Sequence, residues 1–155
     1  MDFANLQRQY LNYQNDIDKK LKAVLKRSNY IMGAEVSELE SSLELFTGVK
    51  YAISCSSGTD ALILSMMSMN IQSNDEIITT PFSFISTAEA ISLLKAKPVF
   101  VDIEADTFNI DVNKIELAIT QKTKAIMPVN LFGQPSDLNA IQLIAEKNNL
   151  KVIID

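Results

Sequence analysis

From residue 50 onward, short β-type runs and helical stretches take turns with almost no filler. "YAIS" is followed by "GTDALILSMMSM", "DEIITT" by "STAEAISLLK", "PVFVDI" by "DVNKIELAIT", and "KAIMPV" by "PSDLNAIQLIAEKNN", and "KVIID" ends the series. Several of the runs, Val-Phe-Val and Val-Ile-Ile among them, are apolar without alternation, the pattern of strands covered on both faces. Strands separated by helices of this length return in the same direction. The expected class is therefore α/β with a mostly parallel sheet. With 155 residues the chain is long enough for one real core.

The first 49 residues have a different texture. Leu6, Tyr10, Tyr13, Ile17, Leu21, Val24 and Leu25 recur at three- and four-residue steps and predict one amphipathic helix. "SNYIMGAE" interrupts it at Gly33. A second helix is expected over about Glu35–Phe46, with Gly48 as its C-terminal cap. The expected organisation is a helical arm over 1–49 and a cofactor-binding α/β unit over 50–155. The arm's stripe can pack on that unit or serve a partner subunit.

Composition excludes several functions. A net charge of −5 leaves no basic footprint for nucleic acid. No apolar stretch reaches the ~20 residues that cross a bilayer, and Met1-Asp2-Phe3 opens a polar stretch rather than a signal sequence. A cytoplasmic location without membrane contact is the expectation. The chain has no histidine and one cysteine. That removes the commonest zinc ligand and general base, and any internal disulfide. No metal site is expected, and acid–base chemistry falls to Lys, Asp, Glu, Tyr or a cofactor. Cys55 has no basic neighbour in sequence and is expected to be a small buried filler.

Ligands of open α/β sheets sit beyond the carboxyl ends of the strands, which selects four stretches. In "SCSSGTDA" Gly58 lets a ligand approach the backbone, and the following helix N-terminus offers free N–H groups and positive dipole to a phosphate, with the Thr59 hydroxyl beside it. The plainer reading is that Gly58 only makes the turn and Thr59 or Asp60 caps the helix. "TTPFSFIST" brings Phe82 and Phe84 to the same mouth, where a ring can stack on a planar ligand or simply join the core. "VNLFGQP" carries Asn130 and Gln134 around Gly133, which turn chemistry explains equally well. Asp155, straight after Val-Ile-Ile, stands where strand-end acids hold cations, metals or protonated heterocycles; the alternative is a helix N-cap. Neither a G-x-G-x-x-G nor a G-x-x-x-x-G-K-[ST] pattern occurs, which weakens dinucleotide and P-loop readings.

Taken together, "YIMGAEVSELE", "SSGTDAL", "DEIITTPFSFISTAEAI", "AKPVFVDI", "TKAIMPVNLFGQPSDL" and "KVIID" resemble, in order and spacing, the DegT/DnrJ/EryC1/StrS family of sugar aminotransferases, pyridoxal-phosphate enzymes of fold type I. The nearest flavour is the enzymes that aminate a 3-keto UDP-sugar with glutamate as amino donor. The resemblance implies that Gly58 and Thr59 belong to the turn that holds the phosphate of pyridoxal 5'-phosphate. It implies that Phe84 stacks on the pyridine ring and that Asp155 pairs with the ring nitrogen. Tyr30 and Gly33 match a segment near the nucleotide-sugar site. A homodimer acting on a nucleotide sugar and glutamate, in polysaccharide or glycan biosynthesis, is implied too. In the family the acid is followed by a "DAAQ"-like stretch and, later, by the Schiff-base lysine. Lys95, Lys97, Lys122 and Lys124 do not match that lysine, so no catalytic residue is assigned. The chain is expected to be the N-terminal portion of such an enzyme, inactive by itself, with an open sheet edge. The competing reading is a small α/β ligand-binding or regulatory module without catalysis. A Rossmann-type nucleotide domain ranks third.

Overall fold

The structure, a computed structural model, describes residues 4–155; the first three residues of the expected arm lie outside the described residues. The chain forms two compact units, Met1–Ser54 and Cys55–Asp155.

The first unit is two helices. Helix α1 (Leu6–Arg27) starts at Asn5, whose side-chain oxygen accepts the Arg8 N–H at 2.8 Å, and carries Lys26 and Arg27 in its last turn. Both ends thus suit the helix dipole. No residue of α1 is buried, and the stripe from Leu6 to Leu25 is exposed apart from half-buried Val24. Helix α2 (Ala34–Thr47) begins after Gly33 and ends at Gly48, whose φ of 74° needs glycine. "YAIS" is not a strand, against expectation. It forms no ladder among the described residues. The Ala52 N–H goes to the Glu44 carboxylate at 3.1 Å, and the Ser54 N–H to Glu40 at 2.7 Å. A β-type run becomes a strand only with a neighbouring backbone, and here glutamate side chains take the donors.

The second unit contains helix α3 (Gly58–Ser68), strand β1 (Glu76–Thr79), α4 (Ser86–Leu93), β2 (Lys97–Phe100), α5 (Val112–Ala118), β3 (Thr123–Ile126), α6 (Leu138–Lys147) and β4 (Lys151–Val152). The strands make one sheet in the order β2-β1-β3-β4, with every pairing parallel. Side chains alternate across it as the pleat requires. On one face Ile77, Ala125, Met127 and Ile153 pack against Leu62, Met66, Ala90 and Ile91 of α3 and α4. On the other, Ile78, Ile126 and Val101 pack with Ile115 of α5 and Ile141 and Ala145 of α6. Burial on both faces belongs to the central strands, complete in β1 and broken in β3 only at Lys124. β1 is buried throughout, whereas Phe100 in β2 and Ile154 after β4 are exposed. The Val-Phe-Val and Val-Ile-Ile runs expected to be covered twice therefore lie on edge strands, where part of the surface has no neighbour.

The order 2-1-3-4 fixes where a ligand can go. From β1 the chain crosses to one side into β2, then returns to the other side for β3 and β4. The connections leave β1 and β3 in opposite directions, and a crevice opens at their carboxyl ends. At that switch point Thr79, fully buried, donates its hydroxyl to the Met127 carbonyl at 2.8 Å and ties the two strand ends together.

The opposite end of the sheet carries a purely structural acid. Glu76 is 6% exposed. It accepts the Thr120 hydroxyl at 2.6 Å and the Lys97 ammonium at 3.1 Å, and these hold its carboxyl below the ordinary value of 4.5. Lys97 is largely exposed, so the hydroxyl bond carries more of the effect. A depressed folded-state pKa stabilises above the unfolded value and is lost as pH falls through the folded value. Denaturation midpoints should therefore drop more steeply on acidification below pH 4.5 in the parent than in Glu76→Gln. At neutral pH Glu76→Ala should cost about 2 kcal/mol.

Candidate functional site

The crevice is lined by Gly58, Thr59 and Leu62 from α3, by Ser83, Phe84 and Ser86 from the loop after β1 and the start of α4, by Val129, Asn130 and Leu131 after β3, and by Asp155. Its volume is about 380 Å³, within the range of small-molecule sites. Five residues picked out by sequence, Gly58, Thr59, Phe84, Asn130 and Asp155, thus share one cleft although they come from four separate segments of the chain.

The α3 end is built by its own loop. Ser57, not Thr59 or Asp60, is the N-cap: its hydroxyl oxygen accepts the Asp60 N–H at 3.1 Å. Asp60 turns back to the loop, accepting the hydroxyls of Ser56 and Ser57, and these hold its carboxyl below the usual aspartate range. That leaves Gly58 and Thr59 at the first turn facing the cleft. Gly58 is not explained by protein geometry among the described residues. Its φ is not in the left-handed region, and an added Cβ would meet no atom within 4 Å. What the position offers is a bare backbone at a helix N-terminus, where an anionic group can come close to N–H donors.

Phe84 is 71% exposed and lines the cleft. Phe82 faces elsewhere. It stacks on Phe108 at 5.8 Å between centroids, and both meet Phe132, forming a trio contributed by the loops after β1, β2 and β3. The two phenylalanines of "TTPFSFIST" therefore have different surroundings. Asn130 lines the cleft but spends its side-chain oxygen on the Ser136 N–H at 2.9 Å and on the Ser136 hydroxyl. Gln134 lines a separate cavity with Asn109, and Gly133 makes the turn at φ 78°. "VNLFGQP" is turn chemistry first.

Asp155 follows β4, and its backbone continues the parallel ladder. Its N–H donates to the Pro128 carbonyl at 3.0 Å, and its carbonyl accepts the Asn130 N–H at 2.9 Å. Its Oδ2 accepts the hydroxyl of Thr87 at 2.5 Å, and Thr87 is in turn bonded to Ser83 at 2.9 Å. Sequence reasoning missed both hydroxyls. The available signal was that Thr87 shares a helix face with Ala90 and Ile91, where a buried polar group must find a partner.

Tyr30 and Gly33 lie in the N-terminal unit. Tyr30 is exposed. Gly33 has a local reason to be glycine, since a Cβ there would come within 2.9 Å of the Asn29 carbonyl oxygen. Cys55 is exposed, not buried as expected, because it precedes α3 in irregular chain instead of following a strand into the core. Lys95, Lys97, Lys122 and Lys124 lie near the amino ends of β2 and β3, opposite the cleft, and among the described residues no lysine lines it. Among the described residues no group of acids and cysteine is arranged to hold a metal, and no helix is long and apolar enough to cross a membrane.

Comparison with known proteins adds a family. The model of the DegT/DnrJ/EryC1/StrS aminotransferase family matches residues 12–155. The chain is 46% identical over its whole length to a UDP-2-acetamido-2-deoxy-3-oxo-D-glucuronate aminotransferase of Pseudomonas aeruginosa and covers 43% of that protein. It superposes with a TM-score of 0.97 and 36% identity on a DegT DnrJ EryC1 StrS aminotransferase from Brucella abortus, covering all of this chain and 43% of that one. NtdA of Bacillus subtilis, solved with the cofactor PMP bound, matches 92% of this chain and 33% of its own, with a TM-score of 0.90 and 37% identity. The chain thus spans less than half the length of these relatives.

Proposed function

The chain belongs to the DegT/DnrJ/EryC1/StrS aminotransferase family, and on that premise we propose that its cleft is the pyridoxal 5'-phosphate seat of a sugar aminotransferase. The observation that carries the reading is the convergence of three chemically distinct groups on one cleft at the switch point: a bare helix N-terminus, an aromatic ring and a held carboxylate. These are the three contacts a phosphorylated, planar, nitrogen-protonated heterocycle needs. Gly58 and Thr59 would take the phosphate through backbone N–H groups and a hydroxyl. Phe84 would cover one ring face. Asp155, an acid lining the same cleft, would pair with the ring nitrogen and favour its protonated form. When bound, the cofactor supplies an electron sink for the carbanion left by loss of a substrate Cα proton; the protein's part is to hold that ring and its charge in place. The NtdA structure, in which PMP is bound, supports the choice of cofactor.

The substrate proposed is a keto-sugar nucleotide, with a 3-keto UDP-sugar the nearest in kind, as supported by the name of the Pseudomonas relative. Glutamate is the proposed amino donor, and the product would feed polysaccharide or glycan assembly in the cytoplasm. Tyr30 and Gly33 are proposed near the sugar nucleotide. The first 49 residues are proposed as an arm of the α/β unit, and the exposed stripe of α1 is consistent with a homodimer. A binding module without catalysis gains no support from the family match.

Among the described residues no lysine lines the cleft, so the lining as described offers no agent for covalent capture of the cofactor or for shuttling of the Cα proton. Two results are expected of the purified 155-residue chain. It should bind pyridoxal 5'-phosphate without a covalent bond and more tightly than pyridoxal, which lacks the phosphate. It should also show no turnover of a keto-sugar nucleotide with glutamate. Equal binding of both compounds would remove the phosphate seat, and measurable turnover would show that the chemistry needs nothing further.

A further inference from the structure

Asp155 is held from two sides. Its backbone is fixed by the Pro128 and Asn130 bonds, and its side chain is fixed by Thr87 alone among the described residues. Thr87 is 2% exposed and lies on the face of α4 that buries Ala90 and Ile91 against the sheet. A hydroxyl has one proton. Since Thr87 donates it to the Asp155 carboxylate, the bond between Thr87 and Ser83 must run from the Ser83 hydroxyl to the Thr87 oxygen. The three groups form a directed series, Ser83 to Thr87 to Asp155, and each donation strengthens the next. A β-branched side chain in a helix has few χ1 choices, so the donor itself does not wander. With the Asp155 backbone and Oδ2 both pinned, the position of Oδ1 is set as well.

We propose that Thr87, backed by Ser83, is a positioning residue that aims the Asp155 carboxylate at the cofactor's ring nitrogen. The inference rests on the reading of the cleft as the pyridoxal-phosphate seat. It assigns a role to a residue that need not touch the cofactor. Aiming matters because the contact is between a carboxylate and a ring N–H, whose strength falls steeply once distance or angle is lost. Ser at position 87 would retain the donor, and Val would keep the shape and remove it.

The test uses the full-length protein, with pyridoxal 5'-phosphate affinity and the visible absorption spectrum of the bound cofactor as readouts. Thr87→Val should weaken affinity about tenfold, the scale of one hydrogen bond to a charged group, and move the spectrum toward that of Asp155→Asn. Thr87→Ser should restore most of both, and Ser83→Ala should give a smaller shift in the same sense. In an Asp155→Asn background Thr87→Val should add nothing, because its effect passes through the carboxylate. If Asp155→Asn changes both readouts but Thr87→Val changes neither, the positioning role is overturned and the cofactor reading stands. If Asp155→Asn itself changes neither, the cofactor reading falls and the inference with it. Should Thr87→Val fail to fold, the serine and Ser83→Ala variants decide: a spectrum unmoved by Ser83→Ala together with one moved by Thr87→Ser overturns the series.

Discussion

Asp155→Asn in the full-length protein is expected, on the proposed reading of the cleft as a cofactor seat, to slow amino-group transfer by roughly 10²–10³-fold, the scale on which removing one pre-organised electrostatic contact at a reacting centre acts. The substitution keeps the shape of the side chain and removes its charge. The main-chain bonds to Pro128 and Asn130 do not depend on the side chain, and the Thr87 hydroxyl can still donate to an amide oxygen. Folding should therefore change little, with midpoints within about 0.5 kcal/mol of the parent. On the proposed reading, what is lost is the anion that would make protonation of the cofactor's ring nitrogen favourable in the cleft. Rate should then suffer more than substrate affinity, because a charge held beside the cofactor's ring nitrogen would matter most in the transition state. Single-turnover kinetics with glutamate alone isolates that half of the reaction. A parent-like rate would show that Asp155 has no part in it.

The layout of the α/β unit was legible because the physics is local and repeated. "DEIITT" and "KAIMPV" read as strands separated by helices, and β1 and β3 are where the alternation placed them. "YAIS" was misread because strand formation is not local. The same four residues serve equally as extended chain whose N–H groups bond Glu40 and Glu44. Cys55 was misread because the lack of a basic neighbour speaks to reactivity and not to burial, and the thiol is exposed. The cleft was legible only through a general rule about strand ends, which named the segments and left their individual residues ambiguous. Gly58 could have been a turn, Phe84 core and Asp155 a cap; the choice came from family resemblance. Thr87 and Ser83 were invisible to spacing, since Thr87 and Asp155 are 68 residues apart in sequence. The division of labour between Phe82 and Phe84, two residues apart, depends on where the loops after β2 and β3 bring Phe108 and Phe132.

Gly58 offers the sharpest separation between stability and binding. Glycine inside a helix is ordinarily a cost, roughly 0.5–1 kcal/mol relative to alanine, through the backbone freedom it loses on folding. Here neither dihedral strain nor packing repays that cost, because φ is unexceptional and a Cβ would meet nothing within 4 Å. Gly58→Ala should thus leave the protein as stable as the parent or slightly more so. If the bare backbone exists to admit a phosphate, the same methyl group intrudes on the space of the ligand. Affinity for pyridoxal 5'-phosphate should fall at least about tenfold, with Gly58→Val losing more, while affinity for pyridoxal, which makes no phosphate contact, should change little. Thermal midpoints and titrations on the same preparations check both halves. Lower stability with unchanged affinity would make Gly58 a structural glycine after all and move the phosphate away from the α3 N-terminus. Raised stability with lost affinity would identify a position where ligand contact, not the fold, accounts for the glycine.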